Sequence, residues 1–246
     1  MKKIYYLLLL SVLFVVSCSK EELQPIGFDD IPNVNDLTYN DKVVNHFMDI
    51  AVNSSDGKYY ELLIFKGDIN IYLHDGMSQS DENTLRTFVN EIDSTIKNDN
   101  IRFNFVTDTI NANVFVMSGT QQQYNDYWGY TNSNNFIGAT RKFRDINDCS
   151  GLEKSSMWYT QGQATMKHEF LHGIGLYHTE VSGNIMNHYI QIGSDELSNM
   201  DKDVLYLLYH PDLISDSYDC SDADNLLTTE EVDEIKNKLY HLLETR

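Results

Sequence analysis

The residues best suited to chemistry lie between positions 168 and 178, in the stretch HEFLHGIGLYH. His168 and His172 are four residues apart, so a helix would place their imidazoles on one face, where both can bind the same cation. Glu169 lies one position round the helix, close enough to hold a water molecule bound to that cation. The spacing therefore predicts a metal site carried by a helix.

A third ligand must come from beyond this helix, because a helix that continued straight past His172 would carry later side chains away along its axis. Gly175 can adopt a left-handed backbone conformation and end the helix sharply. The chain can then turn so that His178 reaches back to the metal. Three nitrogen ligands leave the fourth position of a tetrahedral zinc ion open to water, which is typical of a catalytic site.

One zinc ion bound by these histidines would catalyse hydrolysis. Bound zinc lowers the pKa of water to about 7 and polarises a scissile carbonyl group. Glu169 would take the proton from that water as it attacks and then deliver the proton to the leaving amine. We therefore expect a zinc endopeptidase in which Glu169 is the general base and no covalent intermediate forms.

The same residues resemble the metzincin clan of zinc metallopeptidases. The clan pattern HExxHxxGxxH is matched at every fixed position, by His168, Glu169, His172, Gly175 and His178. The clan also has a tight turn that carries a methionine beneath the metal, and Met186 in SGNIM fits this Met-turn. The resemblance implies an α+β fold with a mixed, mainly parallel twisted sheet, two long helices, the active-site helix and a small irregular C-terminal subdomain.

Two residues just after the Met-turn are further candidates. Some clan members place a tyrosine two residues after the methionine, as an additional metal ligand and oxyanion helper. Tyr189 lies three residues after Met186, which favours a tyrosine packed in the lower subdomain over that role. His188 could approach a metal, but an exposed turn histidine is the favoured interpretation.

Four segments outside the site predict helices. Residues 42–52 can form a short amphipathic helix, and SQSDENTLRTFVNEIDSTIK has a polar cap followed by apolar residues at helical intervals. TTEEVDEIKNKLYHLLE has a capping-box start at Thr228 or Thr229 and predicts a helix packed on the domain. LSNMDKDVLYLLYHPDL, from Leu197, resembles the helix that closes the lower subdomain in matrixin-like members.

β-Branched and aromatic residues predict the strands of a sheet. They cluster in IRFNFVTD, NVFVMSG, FIGATRKF and SSMWYT, and from Tyr59 in a further strand or hairpin. The order of strand, helix, several strands and histidine helix favours a sheet with helices against it. QQQYNDYWGYTNSNN is predicted to be a polar surface loop whose aromatic residues act as local anchors.

The N-terminal residues predict export to a bacterial cell envelope. MKKIYYLLLLSVLFVVSC has a basic start, a short apolar core and a small residue at the expected cut, which is the pattern of a secretory signal. VVSC resembles the lipobox of bacterial lipoproteins, and this resemblance implies that Cys18 is acylated. An ordinary signal peptide with a chance cysteine is the alternative. The following SKEE resembles the acidic export tag of surface lipoproteins, so an outer-membrane, surface-exposed lipoprotein is expected.

The composition divides the chain into four parts. We predict a lipoprotein signal peptide at residues 1–17, a tether at 18–40, a metallopeptidase catalytic domain at 41–215, and an acidic linker with a C-terminal helix at 216–246. The tether is polar and shows little periodicity. The length that remains suits one domain of ordinary size.

Two cysteines, Cys149 and Cys220, remain once Cys18 is assigned to lipid. In an oxidising envelope they could close a disulfide if they lie close in space. Neither has a neighbouring cysteine at metal-ligand spacing, which disfavours a metal role. The acidic residues between positions 212 and 224 could bind calcium, but they lack the Gly and terminal Glu of a calcium loop, which favours a solvated linker.

The formal net charge of −19 limits the partners. Nucleic acid and anionic membrane surfaces repel such a protein, so membrane attachment is expected only through the lipid. We expect a monomer that takes a protein or peptide substrate. Two alternatives keep the scaffold without the activity: a metal-bearing relic, and a non-catalytic surface lipoprotein that binds protein or glycan ligands through the aromatic residues 124–130.

Overall fold

Helices pack against a five-stranded sheet in the computed structural model of this chain. The structure describes residues 37–52, 54–55, 58–59, 62–129, 137–145, 148–188, 193–214 and 227–246. Those from Thr38 onward belong to one unit that ends at Arg246. Several predictions concern residues or side chains outside this description: the signal peptide, the lipidation of Cys18, the role of Tyr189, the Cys149–Cys220 disulfide and most of the acidic linker.

The sheet is mainly parallel, as predicted. A short antiparallel pair, β1 (Ser54–Ser55) and β2 (Lys58–Tyr59), stands apart from it. The sheet itself consists of β3 (Ile69–Leu73), β4 (Phe103–Val106), β5 (Val114–Ser118), β6 (Gly138–Asp145) and β7 (Asp148–Tyr159). Its order is β4-β3-β5-β7-β6, with every pair parallel except β6 with β7. Strand β6 is therefore an antiparallel edge strand.

The described helices are α1 (Tyr39–Ile50), α2 (Gln79–Ile96), α3 (Gln121–Trp128), α4 (Gln163–Gly173), α5 (Asn199–Leu208), α6 (Pro211–Ile214) and α7 (Thr229–Glu244). Five of the described helices, α1, α2, α3, α5 and α7, begin at a Ser or Thr side chain that caps the first turn, whereas α4 begins at Gly162 without a side-chain cap. Thr228 caps α7 as its sequence predicts, with Glu231 completing the capping box. Within the described residues, no helix combines the length and apolar character that crossing a bilayer requires.

Helix α3 corrects the prediction of a polar loop between residues 121 and 135. Thr120 Oγ1 accepts a hydrogen bond from Gln123 N at 3.2 Å, and Gln123 Oε1 accepts one from Thr120 N at 2.8 Å. This capping box starts the helix, and Gly129, at φ 71°, ends it. Polar composition concealed both signals. Residues 130–136 lie outside the described part of the chain.

Both faces of the sheet are covered. On one face, Val114 and Val116 of β5 join the main core, which also contains apolar residues of α1, α2, α4, α5 and α7. On the other face, Trp158 of β7 packs against Tyr124 of α3, with ring centroids 5.7 Å apart. Helix α4 packs on β6, β7 and α2, and the ring of Phe170 meets that of Phe88 at 6.4 Å. Helix α4, which carries His168 and His172, is therefore packed against the β6 edge of the sheet.

Candidate metal centre

Helix α4 carries two predicted ligands and the predicted general base. Its apolar residues Met166, Phe170 and Leu171 are fully buried and hold the helix to the core. His168 and Glu169 are buried as well, at 2% and 5% exposure. Ionisable side chains are seldom buried without a partner or a task, so their partners define the site.

The chain turns sharply after α4, as the glycine predicts. Gly175 has φ +117°, and a methyl group at this position would lie 2.2 Å from the carbonyl oxygen of Leu63. Leu176 N donates to Leu171 O at 3.0 Å, which closes the end of the helix. The close approach to Leu63 and the positive φ both require glycine, and the turn directs the following residues back toward α4.

The structure brings the three predicted ligands together. The Nε2 atoms of His168 and His172 are 3.1 Å apart, those of His172 and His178 are 3.0 Å apart, and those of His168 and His178 are 3.1 Å apart. Three nitrogens about 2.0–2.1 Å from one zinc ion and tetrahedral around it lie about 3.3 Å from one another. The triangle therefore fits a single ion.

The outer nitrogens of two of these rings assign their tautomers. His168 Nδ1 lies 2.7 Å from Ile185 O, and His172 Nδ1 lies 2.8 Å from Leu176 O. A carbonyl oxygen only accepts, so each Nδ1 carries a hydrogen and each neutral ring has a bare lone pair at Nε2. The facing Nε2 atoms of His168 and His172 then cannot hydrogen-bond to each other. Converging lone pairs of this kind fit a bound cation, and the carbonyls fix the orientation of both rings toward it.

The pKa values of the cluster favour the neutral, ligating form of its imidazoles. Burial lowers the pKa of His168, and it lowers the pKa of His178 to about 4. Burial, followed by repulsion from His168 and His178, holds the pKa of His172 well below its usual value. All three rings are therefore neutral at physiological pH, as metal ligation requires.

Glu169 lies against the edge strand β6. Thr140 Oγ1 lies 2.8 Å from Glu169 Oε2 and also 2.8 Å from the backbone oxygen of Glu169, and a methyl group at Gly138 would lie 2.8 Å from Glu169 Oε1. Burial raises the pKa of Glu169 to about 7, while the hydrogen bond from Thr140 opposes the rise. A carboxyl group with a pKa near the working pH can both take up and release a proton.

A cleft of about 290 Å³ opens beside the histidines and Glu169. It is lined by residues of β6, α4 and the turn that follows: Gly138, Ala139, Thr140, Lys142, Glu169, His172, Tyr177 and His178. A larger depression of about 860 Å³ follows the outer face of α7 and is lined by residues of that helix alone. The smaller cleft is the one that meets the candidate ligands and base.

Comparisons with known proteins find similarity to solved structures. No protein-family model and no curated protein matches the sequence. Among solved structures, the chain is similar to high choriolytic enzyme 1, a hatching-enzyme zinc protease from Oryzias latipes (medaka fish). The identity is 12% and the TM-score 0.34, with 58% of this chain and 94% of that chain covered. A function for this chain is therefore inferred from the geometry of its own residues.

The predicted Met-turn is a tight, buried turn. Met186 is fully buried, and its backbone N donates to Asn184 Oδ1 at 2.7 Å. Its carbonyl oxygen accepts from Thr179 N at 2.9 Å. Ile185, which lies between Asn184 and Met186, supplies the carbonyl that orients His168. The turn thus orients one of the three candidate ligands.

His188 is exposed, as predicted, yet it also contacts a ligand. Its Nδ1 lies 3.3 Å from His178 Nδ1, and the two rings stand nearly perpendicular with centroids 4.7 Å apart. His168 and His172 have backbone carbonyls at their outer nitrogens, whereas His178 has this histidine. His188 therefore occupies the position from which the third ligand can be oriented.

The sequence does not single out three cleft residues of β6: Gly138, Thr140 and Lys142. The strand prediction for FIGATRKF contains their only signal, because alternate residues of a strand share a face. Register supplies the missing information: Thr140 pairs with Met157 and Lys142 with Ser155. Paired residues lie on the same face, and that face is the one on which α4 packs.

Proposed function

We propose that this chain is a zinc-dependent endopeptidase. The observation that carries the proposal is the convergence of three Nε2 atoms, from His168, His172 and His178, within 3.0–3.1 Å of one another beside a buried glutamate. Imidazole ligands without a carboxylate suit zinc and not magnesium or calcium. The metzincin-like motif of the sequence supports the same activity.

A zinc ion held by these three nitrogens would supply a Lewis acid that polarises a peptide carbonyl and acidifies water. Glu169 accepts a proton from the attacking water as the carbon–oxygen bond forms. It then gives the proton to the leaving nitrogen as the carbon–nitrogen bond breaks. Thr140 holds one carboxylate oxygen of Glu169 at 2.8 Å, which orients the base during both transfers.

The substrate is proposed to be an extended peptide that pairs with β6. An edge strand can add a further strand through its backbone N–H and C=O groups. Gly138 and Thr140 of this strand line the cleft together with Glu169 and two of the histidines. A peptide added to β6 would therefore carry its backbone past the catalytic groups.

Cleavage of a peptide library by the zinc-loaded protein, with and without a chelator, tests the function. The Glu169→Gln variant should bind zinc as the parent does and lose at least about 100-fold in kcat. Glu234→Gln on α7, where the side chain is 67% exposed, is the matched control and should retain full activity. Parent-like hydrolysis by the Glu169→Gln protein, or a protein that takes up no zinc, would refute the proposal.

The alternative, a non-catalytic binding lipoprotein, relies on the aromatic residues 124–130. Helix α3 buries Tyr124 to 4% exposure, and the ring of Trp128 packs against those of Phe115 and Phe143. Of the aromatic residues of α3, only Tyr127, at 46% exposure, presents an exposed ring to a ligand. A zinc-loaded protein that cleaves no library peptide would nonetheless favour a non-catalytic role.

We also propose that the protein is held at the cell envelope through a lipid on Cys18. The sequence around this cysteine supports attachment, and the tether that follows would separate the catalytic domain from the membrane. Growth of the host bacterium with a labelled fatty acid should mark the parent. A Cys18→Ala protein that is labelled equally would refute the anchor.

A further inference from the structure

Lys142 places a cationic side chain in the wall of the cleft. It stands two residues after Thr140 on β6, and both residues line the cleft with Glu169 and His172. Two residues of a strand span about 6.6 Å. Lys142 and the Thr140 hydroxyl that contacts the general base are therefore separated by about the length of two residues of an extended peptide.

The partners of the Lys142 ammonium group are all uncharged. Its Nζ lies 3.3 Å from Leu176 O, 3.5 Å from Gly175 O and 3.6 Å from the centroid of the Tyr177 ring. Among the described residues, no carboxylate lies within ion-pair distance of this group. Carbonyl oxygens and a ring face stabilise an ammonium ion, but they do not neutralise its charge.

Arg144, two residues along the same strand, adds positive character to this wall, and Glu169 is the one carboxyl group among the described residues that line the cleft. Burial, followed by repulsion from Arg144, lowers the pKa of Lys142 to about 7. A charge withdrawn from water without a counter-ion is costly, so this wall of the cleft would be stabilised by an anion.

We propose that Lys142 binds a carboxylate of the substrate, so that the enzyme prefers peptides with an acidic group within about two residues of the scissile bond. This specificity rests on the proposed peptidase function. The carboxylate has two sources: the side chain of Asp or Glu, or the free C-terminus of a short peptide. Lysine serves both as a compact point charge with three donors.

The test compares peptides that differ at one position. A peptide cleaved by the zinc-loaded parent is varied to Glu, Gln or Lys at each of the two residues on either side of the cut, with a free or an amidated C-terminus. Binding is measured by fluorescence anisotropy on the zinc-loaded Glu169→Gln protein, and kcat/KM on the parent. At one of these positions, the peptide with Glu should bind about tenfold or more tightly than the peptide with Gln, and the peptide with Lys should bind more weakly than the peptide with Gln. If amidation alone removes the preference, the C-terminal carboxylate is the source.

Substitutions of the lysine separate specificity from a structural role. Lys142→Arg should retain the preference, Lys142→Met should abolish it while neutral peptides still bind, and Lys142→Glu should favour the Lys peptide. Lys238→Met on α7 is the matched control. If Lys142→Met weakens the binding of all peptides equally and Lys142→Arg retains their binding, the lysine has a structural role and the inference is overturned.

The failures of the two proposals are distinguishable. Cleavage by the parent with equal binding of Glu, Gln and Lys peptides overturns the role of Lys142 and leaves the peptidase standing. If no library peptide is cleaved, the same panel is built on a peptide that the zinc-loaded protein binds. If that peptide binds better with Glu than with Lys, and the Lys142→Glu variant reverses this preference, the carboxylate site stands and the peptidase function is overturned. Absence of both binding preference and cleavage overturns both.

Discussion

Asn184 donates an amide hydrogen to Asp201 Oδ1 at 2.7 Å, although Asp201 is fully buried. The same carboxylate oxygen lies 2.8 Å from His46 Nε2. Asn184 also accepts a hydrogen bond from Met186 N, and the carbonyl of Ile185 orients the candidate ligand His168. A polar network therefore connects α1 and α5 to the turn that orients His168. The residues of this network are not at metal-ligand spacing in the sequence.

Replacement of Asp201 by Asn should destabilise the protein in a pH-dependent manner. Burial raises the pKa of Asp201, but hydrogen bonds from His46, Asn184 and Ser198 outweigh it, and the pKa is lowered overall. A carboxyl group with a lowered folded-state pKa contributes stability above its unfolded value of about 3.9 and loses that contribution as the pH falls through the folded value. Asp201→Asn should therefore cost about 1–3 kcal/mol at pH 7 and less below pH 4.

Denaturant unfolding of parent and variant between pH 3 and pH 7 measures this difference. Asp233→Asn, on the exposed side of α7, controls for the loss of a surface carboxylate and should cost little at any pH. A difference between Asp201→Asn and the parent that stays constant across the range would contradict the assignment of a buried, ionised carboxylate to Asp201.

The clustering of the three histidines was predictable because its signals are local. His168 and His172 are separated by one helical turn, and Gly175 marks where the helix must end. The same holds for the helical caps, and α3 shows that Thr120 and Gln123 held a usable local signal that polar composition concealed. What sequence alone could not supply are contacts between distant segments. The hydrogen bond from His46 to Asp201 spans 155 residues, and no periodicity reports it.

The cleft residues show the same difference between local sequence signals and contacts between distant segments. The alternation in FIGATRKF predicts that Thr140 and Lys142 share one face of a strand. Which face meets α4 depends on how β6 pairs with β7 and where α4 packs. That choice is made by the burial of the whole sheet, and it decides that Lys142 lines the cleft instead of facing away from it.

Substitution of Gly175 by Ala should remove the site along with the turn. A methyl group there would lie 2.2 Å from Leu63 O, and the φ of +117° is strained for any L side chain. We expect a loss of at least about 2–3 kcal/mol in the free energy of unfolding, with weaker zinc binding because His178 follows the turn. Chemical denaturation and zinc titration measure the two effects.

Gly183→Ala is the matched control for the strain alone. Gly183 also has a positive φ of +78°, but a methyl group there would meet nothing within 4 Å. It should cost about 1 kcal/mol and leave zinc binding unchanged. Equal losses in the two variants would show that the contact with Leu63 does not matter.

Substitution of His188 by Ala should weaken zinc binding without unfolding the protein. His188 is exposed, so little packing is lost, but its Nδ1 lies 3.3 Å from that of the ligand His178. Partners of this kind typically change metal affinity by about 10–100-fold. Competition with a chromophoric chelator measures the dissociation constant, and His188→Gln should restore part of the affinity through a retained hydrogen bond. His241→Ala on α7 is the control; parent-like zinc affinity in His188→Ala would remove His188 from the site.

Substitution of Thr140 by Val should lower kcat by about tenfold and spare zinc binding. The hydroxyl of Thr140 lies 2.8 Å from both Oε2 and the backbone oxygen of Glu169, and it takes no part in the hydrogen bonds of the three imidazoles. Valine keeps the shape of threonine but cannot donate, so the carboxylate loses its orienting contact and a buried acceptor is left unpaired. Thr140→Ser retains the donor and should restore most of the rate. If serine and valine reduce kcat equally at full zinc occupancy, the methyl group and not the hydroxyl would be what positions Glu169.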